Sequence, residues 1–183
     1  MRIRASFALP SLVLPSLMAA GLTATPMAAP IAAELSFTIE IPQLPVAEYH
    51  RPYVAVWLEQ PDQRAVANLA VWYDIGLRNS EGEKWLKDMR QWWRRTGREL
   101  QMPVDGVSGA TRAPGRHTLR FDTQRPALSG LAPGQYNLVV EAAREVGGRE
   151  LLRLPFQWPP TAPQSANAQG AHELGAVSID VKP

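Results

Sequence analysis

The sequence predicts an all-β fold: an antiparallel β-sandwich with one inserted amphipathic helix at about residues 80–96. Three observations predict it. Apolar residues recur mostly with a period of two, the mark of strands with one buried face. Turn-forming residues punctuate the chain between those runs. One tryptophan-rich segment departs from the pattern and takes helical spacing.

The elements follow in order. Leu35, Phe37, Ile39 and Ile41 alternate with Ser36, Thr38 and Glu40, which makes a first strand. Tyr53–Leu58 reads as a second, and Ala67–Ile75, with Val71, Trp72 and Tyr73, as a third; Gln60-Pro61-Asp62-Gln63 turns between them as a hairpin. Ser80-Glu81-Gly82-Glu83 has the form of a capping box, and Trp85, Met89, Trp92 and Trp93 then fall on one helical face. Gly97 is the expected C-cap, and Arg94, Arg95 and Arg98 complement the dipole at the last turn. Further strands are expected over His117–Asp122, Tyr136–Arg144 and Leu151–Trp158. The stretch Pro159–Gly170, rich in Pro, Ala, Gln and Ser, reads as a flexible linker. Beyond it Ala176–Val181 alternates, so that residues 172–183 either return as an edge strand or stay disordered. The expected organisation is thus a leader at 1–33, a sandwich domain at 34–158, and a linker with a C-terminal tail at 159–183.

Residues 1–33 have the order of a secretory signal peptide: Arg2 and Arg4, an apolar run from Ala5 to Leu22, then small residues at Ala28, Ala29, Ala32 and Ala33. Pro10 and Pro15 inside a short apolar run argue against a spanning helix. Export to the periplasm and a soluble mature protein are the expectation. The leader carries two of the 19 basic residues and no acid, so the remainder balances 17 against 17. No dense basic stripe interleaved with aromatics appears, and no nucleic-acid partner is expected. Cysteine is absent, which excludes disulfides, thiolate metal sites and dithiol redox chemistry. A redox role would therefore need an external electron carrier.

The chemistry-bearing segment is Asp105-Gly106-Val107-Ser108-Gly109-Ala110-Thr111, of the form D-x-x-[ST]-G-A-[ST]. It resembles the acceptor site for covalent flavin attachment. The resemblance implies that a secreted flavin transferase takes FMN from FAD and joins its phosphate to the Thr111 hydroxyl as a phosphoester. The residue types suit that chemistry. Thr111 supplies the hydroxyl nucleophile, which needs activation by a base or metal. Gly109 and Ala110 keep the approach narrow, and Gly106 and Gly109 permit positive φ. Asp105 and Ser108 offer hydrogen-bonding handles, although both residue types also satisfy their own turns. The same glycines serve an ordinary loop equally well.

A wider resemblance runs from Val104 to Arg149, through the SGATR-x-PG, T-L-x-F-D and L-x-PG-x-Y-x-L-x-V-E-A-A-R-E segments, and upstream through P-Y-V-A-V-W-L-E and K-W-L-x-x-M-x-x-W. These segments look like a family of predicted periplasmic proteins known as a domain of unknown function. Pro133–Glu145 also resembles the Ig-like domain of flagellar hook-capping proteins. Together they imply an Ig-like sandwich, often encoded near PepSY-type membrane reductases and flavin transferases, which become the expected partners. The family itself confers no activity. Better-known FMN-binding domains carry a similar acceptor segment on a different scaffold, often with a further hydroxyl residue soon after; here Arg112-Ala113-Pro114-Gly115 follows. Arg112 or Arg116 is the expected neighbour of the phosphate. The indole face of the helix packs over the sandwich, or part of it stacks on the isoalloxazine ring.

No catalytic residue is assigned. His50, His117 and His172 lie far apart without a carboxylate at ligand spacing, so no metal site is expected. No nucleophile elbow, P-loop or dinucleotide fingerprint appears. The leading expectation is a periplasmic flavoprotein carrying FMN on Thr111 in extracytosolic electron transfer. The alternatives are an unmodified Ig-like binding or assembly module, and a reductase with a deep pocket beside Thr111.

Overall fold

The computed structural model describes residues 33–183; all of the expected leader but its last residue, Ala33, lies outside them. Among the described residues, nine strands form two sheets. They are β1 (Glu34–Ile41), β2 (Tyr53–Glu59), β3 (Ala65–Tyr73), β4 (Ser108–Ala110), β5 (Gly115–Asp122), β6 (Gly134–Ala143), β7 (Arg149–Trp158), β8 (Gln164–Gln169) and β9 (Ala176–Lys182). The first sheet has the order β5-β1-β9-β8 and the second β4-β3-β2-β6-β7. The all-β sandwich expected from the two-residue periodicity is the architecture found.

The main core lies between the sheets. Leu35, Phe37, Ile39 and Ile41 point into it from β1 and meet Val54, Val56 and Leu58 of β2, Leu138 and Val140 of β6, and Val177, Ile179 and Val181 of β9. A second core covers the outer face of the five-stranded sheet, where Ala55, Trp57, Val71, Tyr73 and Val139 pack under Leu86, Met89 and Trp92. This explains why all seven residues of β2 are buried: a strand covered on both faces reads as a continuous apolar run, not as an alternation.

The covering segment differs from the expected single helix. A 3₁₀ stretch runs over Arg78–Asp88, and a separate α-helix, α1, spans Arg90–Arg95. The capping box does not form, because Asn79 and Ser80 take left-handed backbone angles and no side chain caps the start. Two tertiary contacts account for the break. Gly82 lies against the backbone of Asp74, where an added Cβ would sit 2.2 Å from the carbonyl oxygen. The buried Glu141 carboxylate of β6 accepts the backbone N–H groups of Gln91 (3.1 Å) and Trp92 (2.7 Å), so the α-helix starts afresh there. At three residues per turn, Leu86 faces the sheet and Trp85 turns outward, 52% exposed. α1 ends at Arg95 with Thr96 as its cap, not Gly97. Gly97 is needed for closeness, since a Cβ there would lie 2.5 Å from the Trp92 ring.

Two further corrections concern topology. β4 runs parallel to β3, so the five-stranded sheet is mixed and not wholly antiparallel. A parallel return needs a long crossover, and the segment between Tyr73 and Ser108, laid across the outer face, provides it. Residues 159–183 are not a linker and tail. β8 pairs with β9, and β9 lies between β8 and β1 inside the first sheet. β8 escapes composition because Gln164–Gln169 is an edge strand with Ala166 and Ala168 as its inward apolar residues. A second short helix, α2 (Pro126–Ser129), links β5 to β6.

Candidate functional site

The segment Asp105–Thr111 includes β4, the edge strand of the five-stranded sheet. Gly106 takes φ +71°, the left-handed turn its residue type permits. Ser108 Oγ accepts the N–H of Val104 at 2.9 Å, so that hydroxyl serves its own turn. Asp105 and Ala110 are exposed. Gly109 pairs with Trp72 across β3, and a Cβ there would meet the indole at an ordinary 3.5 Å. Closeness to that ring therefore does not demand glycine at 109. The parallel register Tyr73↔Ala110 brings Thr111 level with Asp74. Thr111 N–H donates to the Tyr73 carbonyl at 3.2 Å, and its hydroxyl donates to Asp74 Oδ1 at 3.3 Å.

Thr111 opens on a cleft of about 530 Å³. It is lined by Tyr53, at the start of β2, by Arg144, just after β6, and by Trp85, Leu77 and Val146. His50 stands at the rim, 3.0 Å from Glu48 and 3.5 Å from Glu145. Arg144 is held from below: its Nε and Nη2 donate to the buried Glu173 carboxylate at 2.8 and 3.2 Å. Burial, reinforced by the nearby Asp74 carboxylate, pushes the Tyr53 phenol up to about 12. The Asp74 backbone N–H, which favours the ionised phenol, and the Asp74 carboxylate, which opposes it, both lie close to the Tyr53 hydroxyl, although neither meets it in full hydrogen-bond geometry. Burial, with the charge of Glu83, also raises Tyr73 beneath the acceptor strand, against a hydrogen bond from Ser108.

Of the two arginines weighed for the phosphate, Arg112 directly follows Thr111 and Arg116 lies in β5. The Arg112 guanidinium stacks over the Trp72 ring at 5.3 Å, and Arg116 sits in β5 opposite Glu40 of β1. Of the tryptophans in the covering segment, Trp92 is buried against the sheet, whereas Trp85 is exposed and lines the cleft. Asp74, Tyr53 and Arg144 were not identified from sequence. Their one linear signal is that each is a polar-tipped residue at the end of an apolar strand. A larger opening, about 600 Å³, lies at the mouth of the sandwich among Leu69, Phe121 and Tyr136; it includes Asp105 and Gly106 but not Thr111.

Residues 34–176 match a family described as predicted periplasmic protein (DUF2271). The chain belongs to that family. Its match spans both sheets as far as the first residue of β9, and so includes the acceptor segment and every cleft residue named above. Neither a curated protein nor a solved structure matches the chain.

Proposed function

We propose that this member of the family is a periplasmic flavoprotein, exported by the N-terminal leader, that carries FMN as a phosphoester on Thr111 and passes electrons between a membrane reductase and a further acceptor. The observation that carries the reading is the placement of Thr111. The terminal hydroxyl of the acceptor segment stands at an edge strand and opens on a partly apolar cleft with an exposed indole.

The residues fit the group. The cleft lies within the size range of small-molecule sites, and it combines apolar walls with a few polar atoms that fix orientation. In the transfer, a bond forms between Thr111 Oγ1 and the phosphorus of the FMN half of FAD, the diphosphate bond breaks, and AMP leaves. The hydroxyl proton must depart, and Asp74 Oδ1 already accepts it. Asp105, exposed in the turn, is the handle left for the transferase, since Ser108 is engaged within its own loop. Bound flavin supplies the electron-transfer chemistry that a chain without cysteine lacks. The cleft beside Thr111 is also what the reductase alternative would use for its substrate. A PepSY-type membrane reductase is the proposed donor.

The internal bonds of Ser108 and Thr111 are what an unmodified turn would also show, and they support the alternative of a plain binding module. Co-expression with a flavin transferase separates the two readings. Yellow colour that survives denaturation and desalting, and is lost in Thr111→Ala, supports the flavoprotein; a colourless wild-type protein sinks it.

A further inference from the structure

We propose that the segment covering the outer face of the five-stranded sheet, residues 75–99, is a docking surface for a membrane that carries anionic lipid. Its basic side chains meet the headgroup phosphates, and Leu77 and Trp85 enter the interface. The proposal uses neither the Thr111 hydroxyl nor a flavin, and so stands apart from the flavoprotein reading.

Charge is segregated along the chain. From residue 34 onward basic and acidic residues balance at 17 each, yet residues 75–99 hold seven basic against four acidic, which leaves ten against thirteen elsewhere. All seven basic residues are exposed. Lys84 is held by Glu81 at 2.6 Å, and Arg98 lies 3.8 Å from Glu99. The other five, Arg78, Lys87, Arg90, Arg94 and Arg95, have no carboxylate within 4.0 Å among the described residues. Arg94 and Arg95 reach only the amide oxygens of Gln91 and Gln63. The winding groups these cations. Lys84 and Lys87 share a row of the 3₁₀ stretch and Arg90 and Arg94 a row of α1, while Leu86, Met89 and Trp92 take the rows that face the sheet.

Exposed apolar side chains stand in the same segment. Scattered singly, such residues need no partner. Here Ile75, Leu77 and Trp85 are 40%, 48% and 52% exposed, and Leu77 and Trp85 line one cleft together with the exposed Val146. Cations beside an exposed indole form the combination that binds at a headgroup boundary: the indole lodges between polar and apolar layers, and each cation gains from the negative surface potential. An acidic protein surface would match the cations and leave Ile75, Leu77 and Trp85 wet. A neutral apolar partner would strip water from five cations without offering a counter-charge. Docking through this segment turns the cleft beside Thr111 toward the membrane, since Leu77 and Trp85 line it.

The test uses the mature protein carrying Thr111→Ala, which has no attachment hydroxyl, with loss of the leader verified by mass because a retained apolar leader would itself bind lipid. It is mixed at low salt with vesicles of phosphatidylcholine alone, or of phosphatidylcholine and phosphatidylglycerol in equal parts, and followed by co-sedimentation and tryptophan emission. The expected result is binding to the mixed vesicles only, with a blue shift that Trp85→Ala removes and with release at high salt. Lys87→Gln and Arg90→Gln should each weaken binding about fivefold, and Trp85→Ala roughly tenfold. Arg120→Gln with Lys182→Gln removes as much charge from the exposed surface of the other sheet and should leave binding unchanged. Matching melting temperatures show that each variant keeps the fold. The proposal is overturned by no co-sedimentation with the mixed vesicles, by equal binding to neutral ones, or by an equal loss from the Arg120 and Lys182 pair. Saturable binding to soluble polyglutamate with none to vesicles would also overturn it and assign the face to an acidic protein.

Discussion

Gly82→Ala is the substitution that most directly tests how the covering segment builds the site. Gly82 is buried where the 3₁₀ stretch crosses the end of β3. A Cβ at that position would lie 2.2 Å from the Asp74 carbonyl oxygen and 2.9 Å from its carbonyl carbon. Ordinary contact begins near 3.4 Å, so the two backbones must separate by about 1.2 Å, and both obstructing atoms are main chain that no rotamer change can clear. Overpacking of this kind costs about 1–3 kcal/mol. For a domain near 150 residues, a cost of about 2 kcal/mol lowers the melting temperature by roughly 4–8 °C. Asp74 faces Thr111 and the moving segment carries Trp85, so the strain falls on the cleft. Thermal unfolding followed by far-ultraviolet circular dichroism gives the cost, and near-ultraviolet circular dichroism reports the indole environment. A melting temperature within about 1 °C of wild type, with an unchanged indole spectrum, would refute the claim that Gly82 is fixed by contact with Asp74.

Three further outcomes follow from the same geometry. Glu141→Gln removes the charge that holds Gln91 N–H, Trp92 N–H and Arg149, and should destabilise by about 2–3 kcal/mol in urea unfolding, with Trp92 fluorescence shifting to the red. Burial opposes the ionisation of Glu150, but four backbone N–H groups from Ala171 to Leu174 outweigh it and hold the carboxyl below its ordinary value. Its contribution is therefore present above the unfolded-state value of 4.5 and lost as pH falls through the folded one; Glu150→Gln should flatten the acid limb of a stability–pH curve. Tyr53 has the opposite sign. Its raised value favours the protonated folded state, so stability falls as pH rises from 10 to about 12, and Tyr53→Phe should remove that part of the alkaline loss.

The first strand was legible because one of its faces meets solvent: Leu35 to Ile41 alternate in sequence as they do in burial. The β2–β3 hairpin was legible through its turn residues. What the sequence hid was set by tertiary contact. Trp85, Met89 and Trp92 share a face at 3.6 residues per turn, but Gly82 against Asp74 and Glu141 beneath α1 impose a tighter winding that turns Trp85 out. The parallel β4 depends on a crossover with no local signature. The cleft joins Tyr53, Asp74, Thr111 and Arg144, residues that sheet order brings together from separate strands. β9 alternates clearly yet follows a weak edge strand, so its central place could be seen only once β1 was known to need a second neighbour.

The central claim is the covalent flavin on Thr111, and mass spectrometry of the mature protein from cells with an active flavin transferase tests it most directly. The account predicts a gain of one FMN less one water, located on the peptide that contains Asp105–Thr111 and absent from Thr111→Ala. An unmodified peptide from protein made beside a transferase shown to be active would contradict it.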